Sequence, residues 1–214
     1  MPLAATWLRQ ACDGKIQPNP NSMVLATADA GGRPSARIVL CKEIVTDPGY
    51  LVFYTNYESR KGRELAAQPW AAVVFQWDEL GRQLRVEGPV VTSPASESDH
   101  YFASRPWQSR LAAITSQQSA PIASRQDLLE KLRDTRARYG APDPLAAVDD
   151  DDAAGLRLPR PSGWGGYHLW ATAVELWVEG EHRLHDRVCW TRELKPSGST
   201  HSQTRSWQYQ RLQP

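Results

Sequence analysis

Cations in this chain sit beside hydroxyls and aromatic rings in a few short stretches, at spacings suited to gripping an anion. The first is Thr55-Asn-Tyr-Glu-Ser-Arg-Lys-Gly-Arg63. Ser59 is a natural N-cap for a helix running on to Gln68. Arg60 and Lys61 then fall in the first turn, where the helix dipole disfavours cations. Two readings fit: an anion collects the free backbone N–H groups and both cations there, or the turn is basic and solvated. The second stretch is Arg183-Leu-His-Asp-Arg187. In an extended segment residues 183, 185 and 187 share a face, so Arg, His and Arg form a stripe suited to an anionic or electron-rich ligand. Alternatively, one arginine pairs with Asp186 or Glu181 and the rest face water.

The third is Tyr101-Phe-Ala-Ser-Arg-Pro-Trp-Gln-Ser109. Tyr101 and Arg105 share a helix face. Pro106 pushes Arg105 out of helical geometry and places Ser109 near a second helix start. A phenol, a guanidinium and a hydroxyl can then meet on one phosphate-sized target, although ordinary helix–turn–helix surface chemistry uses the same residues. Arg37 and Lys42 add a fourth basic pair. In a regular strand they point to opposite sides, so one ligand uses both only across a bulge or at a strand end.

The elements that must position these groups are read from periodicity and turn signals. A short amphipathic helix covers 3–15. Strands are expected at 22–29 and 35–41, joined through Ala30-Gly-Gly-Arg-Pro34 as a hairpin, and at 50–55. After the helix at 59–68, stopped by Pro69, strands follow at 71–77 and 83–91. Helices are expected at 94–104 and 122–139, and strands at 166–178, 187–191 and 207–212. The proline- and aspartate-containing stretch 141–162 reads as a solvated surface loop rather than a metal site. The pattern predicts an α+β fold, mainly antiparallel β, with peripheral helices around a barrel. A single domain over 1–214 is expected, since a chain of 214 residues buries a sizeable core without staples.

Composition narrows the function. With 25 Lys and Arg against 24 Asp and Glu, net charge gives no reason to expect nucleic-acid or membrane binding. Cys12, Cys41 and Cys189 form no CxxC pair, which argues against a disulfide framework or a zinc centre. The first residues lack the apolar run of a signal peptide, and no stretch is long enough to span a membrane, so a cytoplasmic protein is expected. Nine Trp residues point first to packing; ring-bearing ligands also use Trp, and the count alone does not decide. Dinucleotide and P-loop fingerprints are absent from the sequence.

The same stretches carry the signature of a family. Arg37-Ile-Val-Leu-Cys-Lys42, Phe53-Tyr-Thr-Asn56, Ser59-Arg-Lys61, Gly81-Arg-Gln83, Tyr101-Phe-Ala-Ser-Arg-Pro106, Gln118-Ser119, Trp164-Gly-Gly166, Glu175-Leu-Trp177, Arg183-Leu-His-Asp-Arg187 and the Arg211-Leu-Gln-Pro214 ending occur in order. Together they resemble the pyridoxine/pyridoxamine 5'-phosphate oxidase family over nearly the whole chain. The resemblance implies an FMN-binding split β-barrel homodimer with two flavin sites at the subunit interface. It implies that Arg60 and Lys61 hold the flavin phosphate. Arg37, Ile38, Val39, Leu40, Cys41, Lys42, Tyr54, Thr55, Gln83, Gln118, Ser119, Trp177 and Arg187 complete that site. Lys42, Tyr101, Arg105 and Ser109 are implied to bind the substrate phosphate, and Arg183, Leu184 and His185 to lie over the pyridine ring, with Arg183 and His185 as the catalytic pair. The implied reaction oxidises pyridoxamine or pyridoxine 5'-phosphate to pyridoxal 5'-phosphate in vitamin B6 biosynthesis and salvage. A hydride passes from C4' to flavin N5, and O2 reoxidises the flavin with release of H2O2.

The chain departs from the family pattern at three points. It starts close to its first helix, without the extension some relatives carry. Its 141–162 segment is longer than expected. Trp107, Arg110 and Leu111 are unusual neighbours for Ser109. Alternatives are a phenazine-type oxidase of the same fold, which tends to lose the phosphate-binding set, and a non-catalytic flavin- or haem-binding barrel, which has no need of Arg183 and His185. Deazaflavin-using reductases share the barrel but are not expected to carry the Arg183–Arg187 run.

Overall fold

A computed structural model describes residues 1–143, 155–197, 200–203 and 206–214. Half of the predicted 141–162 surface loop, residues 144–154, lies outside the described residues. Contacts divide the chain into two units, one formed by Met1–Tyr54, Glu64–Thr92 and Tyr167–Pro214, the other by Thr55–Arg63 and Ser93–Gly166.

Helix α1 (Pro2–Asp13) precedes β1 (Ser22–Ala28), β2 (Pro34–Val45) and β3 (Tyr50–Asn56), as the turn signals predicted. Helix α2 (Arg60–Ala67) leads to β4 (Trp70–Trp77) and β5 (Arg82–Thr92). The chain later supplies β6 (Trp164–Trp170), β7 (Ala173–Val178), β8 (Asp186–Thr191), β9 (Leu194–Ser197), β10 (Thr200–Gln203) and β11 (Gln208–Leu212). The main sheet runs β11-β8-β7-β5-β4-β1-β2-β3-β6 and closes through a β5–β6 pairing, making a six-strand antiparallel barrel with β7, β8 and β11 as an extension. The predicted split β-barrel is therefore the observed one.

Alternation explains the closure. Met23, Leu25 and Thr27 of β1, Val73, Phe75 and Trp77 of β4, and Leu84, Val86 and Val90 of β5 are all buried. Each large aliphatic side chain among them contributes about 1.5–3 kcal/mol by leaving water. Asp29 holds the β1–β2 turn, its Oδ1 accepting the N–H groups of Gly31 and Arg33 at 2.9 Å.

Strand β5 serves two partners in turn: residues 82–87 pair with β7 and 90–92 pair with β6. At the changeover sits Gly88, where an added Cβ would lie 1.8 Å from the Trp170 carbonyl oxygen. Only glycine lets the backbone of β6 approach so closely. This junction splits the strand predicted over 166–178 in two, because Thr172 turns to donate its N–H to Glu87 O at 2.8 Å. The β9–β10 hairpin was not expected from the sequence.

The second unit is helical: α3 (Ala95–Ser104), α4 (Trp107–Thr115) and α5 (Arg125–Tyr139). Pro106 separates the first two, with Arg105 extended at φ −76°, ψ 148°. Helix α5 begins later than the predicted residue 122 because Ser124 caps it, its Oγ accepting Asp127 N–H at 3.1 Å. Trp107, Leu111, Ala141 and Leu158 form a buried cluster in this unit, which explains the apolar neighbours of Ser109. Among the described residues no helix is long and apolar enough to cross a membrane.

Candidate functional site

Helix α2 starts as its sequence demands. Ser59 is fully buried and its Oγ accepts Gly62 N–H at 3.3 Å, a capping bond at the third helical residue. Lys61 follows in the first turn with only 8% of its surface exposed. Its Nζ donates to Gln118 Oε1 at 2.8 Å, Thr55 Oγ1 at 3.1 Å and Ser59 Oγ at 3.4 Å. Lys61, Thr55 and Gln118, named separately from the sequence, thus converge within the second unit. Arg60 occupies the preceding first-turn position, and Ser119 follows Gln118 in left-handed backbone at φ 70°. A buried ammonium at the positive end of a helix, with hydroxyl and amide oxygens beside it, suits a phosphate.

A second cluster forms around Trp164 in the same unit. The Tyr101 ring lies parallel to the indole, 8° apart at 6.2 Å, and the Arg105 guanidinium sits 4.9 Å from the indole centroid. Arg105 Nη1 is buried without a hydrogen-bond partner. Burial holds this guanidinium below its ordinary pKa, partly offset by Tyr101. A buried, uncommitted N–H of a cation costs free energy unless a ligand accepts it. Ser109 stands on the first turns of α4, beyond Pro106, where the sequence placed it.

The first unit carries the remaining predicted residues. Gln83, Trp177 and Arg187 are register partners across β5, β7 and β8, so they stand side by side. The His185 ring packs against Trp177, 4.5 Å between centroids and tilted by 41°, and its Nδ1 accepts Gly180 N–H at 3.2 Å. An accepting Nδ1 leaves the proton of a neutral imidazole on Nε2, as a donor. Glu175 fixes Arg187, accepting its Nε at 2.9 Å, and also binds Arg85 Nη1 at 3.2 Å. That hydrogen bond raises the Arg187 pKa above its ordinary value. Gln213 O accepts Arg187 Nη1 at 3.0 Å.

The expected Arg183-His185-Arg187 stripe is corrected. Residues 181–183 form a 3-10 turn, with His182 at φ 55° and Arg183 at φ 66°. Alternation fails there: Arg183 and Leu184 stay exposed, while His185 folds against Trp177.

Strand β2 meets the condition set for Arg37 and Lys42. Its register against β3 shifts between Cys41 and Glu43, so Lys42 sits at a bulge that resets which side it faces. Arg37 is engaged internally, donating to Leu25 O at 3.2 Å, to Glu64 Oε2 at 3.0 Å and to the Ser35 hydroxyl. Glu64, only 5% exposed, also accepts from Thr27 and Ser35. Ile38 and Leu40 present their side chains outward, at 64% and 36% exposure, and Val39 lies half-buried between them. Burial pushes the Cys41 thiol up to about 12. Tyr54 lies on β3, next to Thr55.

Sequence reasoning assigned no role to Glu64, Glu175, Arg160 or Trp164. Glu175 and Trp164 do stand in the matched runs Glu175-Leu-Trp177 and Trp164-Gly-Gly166, which was the available signal. Among the described residues no group of three or more His, Cys, Asp or Glu is placed to hold a metal.

Comparison with known proteins is consistent across the chain. Residues 9–139 match the family model described as pyridoxamine 5'-phosphate oxidase. Residues 164–214 match the pyridoxine 5'-phosphate oxidase C-terminal dimerisation region. A protein of Paraburkholderia phytofirmans named pyridoxine/pyridoxamine 5'-phosphate oxidase is 48% identical over 98% of this chain and 86% of its own length. A protein of the same name from Cyanothece sp. is 45% identical over 98% of this chain and 85% of its own. Among solved structures, PhzG from Burkholderia lata, in complex with tetrahydrophenazine-1-carboxylic acid, superposes with a TM-score of 0.81 at 28% identity. That match covers 99% of this chain and 91% of PhzG. A pyridoxamine 5'-phosphate oxidase-related, FMN-binding protein from Nostoc punctiforme shares the fold, with a TM-score of 0.70 at 16% identity over 100% of this chain and 98% of that one.

Proposed function

Because the chain belongs to the pyridoxamine 5'-phosphate oxidase family of oxidoreductases, we propose that it oxidises pyridoxamine and pyridoxine 5'-phosphate to pyridoxal 5'-phosphate as an FMN-dependent homodimer. The observation that carries the substrate is Arg105 Nη1, buried and uncommitted beside Tyr101. A phosphate monoester accepts such a donor; a ring ligand without a strong acceptor leaves its cost unrelieved.

The residues present fit FMN. Lys61, with Thr55, Gln118 and Arg60 at the capped start of α2, suits the flavin phosphate. Gln83, Trp177 and Arg187, aligned across three strands, suit the polar edge of the flavin ring. FMN, when bound, supplies a two-electron acceptor that O2 reoxidises with release of H2O2.

This chain's own side chains then bind and orient. Lys42, Tyr101, Arg105 and Ser109 take the substrate phosphate, which fixes the position of C4' relative to the acceptor. His185 offers Nε2–H to the substrate ring, since Gly180 N–H occupies Nδ1. It acts as an orienting donor rather than as a base. Arg183, exposed in its strained turn, steers the exocyclic amine or hydroxyl and balances charge as it develops.

A second reading comes from PhzG, whose bound ligand is a carboxylic acid of a tricyclic ring. One experiment separates the two. The purified, FMN-loaded protein is mixed anaerobically with pyridoxamine 5'-phosphate, and its flavin absorbance is followed. Bleaching, with recovery and peroxide on admitting air, supports the proposal. A flavin that ignores both pyridoxamine and pyridoxine 5'-phosphate but is bleached by tetrahydrophenazine-1-carboxylic acid moves the assignment to the second reading.

A further inference from the structure

Resting on the phosphate-binding role just proposed for Arg105, we infer that Trp164 and Arg160 are positioning residues that set the phosphate preference of the site. The Arg105 guanidinium is placed by a flat ring rather than by hydrogen bonds. It lies 4.9 Å from the Trp164 centroid and 5.8 Å from that of Phe102, while Phe102 meets Trp164 edge-on at 5.0 Å. An indole face attracts a guanidinium without occupying its N–H groups. Nη1 therefore stays available, in agreement with its lack of a partner. Tyr101 is stacked parallel to the same indole, so one ring orients both groups.

The backbone that carries the indole is in turn anchored: the Trp164 main-chain N–H donates to Pro161 O at 3.0 Å, and its main-chain carbonyl accepts Arg160 Nη1 at 2.6 Å. Arg160 Nε donates to Asp99 Oδ1 at 2.6 Å, and Asp99 lies on α3 two residues before Tyr101. Arg160 thus ties the platform residue to the helix that carries the ligands. A separate bond joins the same two segments, Ser98 Oγ accepting Gly166 N–H at 3.0 Å, and Tyr57, from the turn before α2, adds a third anchor by donating to Gly166 O at 3.1 Å. At Gly165 an added Cβ would lie 2.1 Å from the Tyr57 hydroxyl. The Ser98 and Tyr57 bonds keep the segments together when the Arg160 tie is cut, so loss of Arg160 loosens the indole without dismantling the unit.

The test uses the FMN-loaded protein and the variants Trp164→Leu, Trp164→Phe and Arg160→Gln. Dissociation constants are measured by calorimetry for inorganic phosphate, pyridoxal 5'-phosphate and unphosphorylated pyridoxal, with kcat and KM for pyridoxamine 5'-phosphate and the flavin content of each variant. Trp164→Leu is expected to weaken both phosphate ligands roughly tenfold, the worth of a desolvated cation–π contact, and to leave pyridoxal unchanged. KM rises while kcat holds, Trp164→Phe recovers most of the loss, and Arg160→Gln shows a smaller rise. Equal weakening of pyridoxal and pyridoxal 5'-phosphate, or no weakening with flavin content intact, overturns the inference. A wild-type protein that fails to oxidise pyridoxamine 5'-phosphate, but whose phosphate affinity still falls in Trp164→Leu, keeps the positioning role and removes the proposed substrate instead.

Discussion

Replacing Arg105 with Met separates what this residue does for ligand binding from what it does for the fold. Methionine keeps an unbranched apolar stem against Phe102 and Trp164 and removes the guanidinium. Two contributions to stability then oppose each other. The substitution relieves an uncommitted buried donor, worth about 1–3 kcal/mol when fully desolvated and less here because the residue is only partly buried. It also forfeits a cation–π contact of about 0.5–2 kcal/mol. The net change is within about 1 kcal/mol, a Tm shift of roughly 2–4 °C for a chain of this size. Phosphate affinity, by contrast, loses a charge-assisted hydrogen bond of about 1.5–3 kcal/mol, or roughly 10- to 150-fold. Thermal melts without ligand, set beside KM for pyridoxamine 5'-phosphate, read both quantities. A Tm fall beyond about 8 °C would refute the reasoning, because it means that the guanidinium holds the structure together. Unchanged KM would refute it from the other side.

Other substitutions probe the framework and the second cluster. Gly88→Ala forces a Cβ into the Trp170 carbonyl at the point where β5 changes partners, so a loss of several kcal/mol is expected, read as a depressed urea midpoint or failure to accumulate soluble protein. Glu175→Gln releases Arg187 and Arg85 from their shared carboxylate; FMN titration by absorbance is expected to show roughly tenfold weaker binding, and equal affinity removes Arg187 from the flavin site. The Cys41 thiol, pushed by burial from an ordinary 9.0 to about 12, is kept protonated by the fold. Its contribution to stability is complete below pH 9.0 and is lost as the pH climbs towards 12. At pH 8, alkylation of the native protein is expected to mark the exposed Cys12 and spare Cys41 until denaturant is added; rapid native labelling of Cys41 contradicts its burial.

Much of this was legible where local rules suffice. Alternation and turn chemistry placed the barrel strands, and the cation-bearing first turn of α2 identified Lys61 before its partners were known. The bulge at Lys42 was posed as a condition and found in the register. What stayed hidden depends on contacts remote in sequence or on backbone that side-chain pattern does not encode. Glu64 meets Arg37 across 27 positions and Glu175 meets Arg85 across 90, so neither carboxylate announces its role. The left-handed backbone at His182 and Arg183 occurs without glycine, and strict alternation carried straight through it. The break between β6 and β7 was invisible because its cause, Gly88, lies on another strand.

The double use of β5 also orders events in time. Strands β1 to β5 are complete by Thr92, yet β6, which must fill the gap between β3 and β5, begins only at Trp164. At about 5–20 residues per second, a ribosome needs several seconds to make the intervening chain. During that interval the nascent sheet has two open edges, and its apolar inner face lacks its last wall. Aggregation during synthesis is therefore most dangerous in this window, and a chaperone that binds unpaired strand edges gives its greatest benefit there.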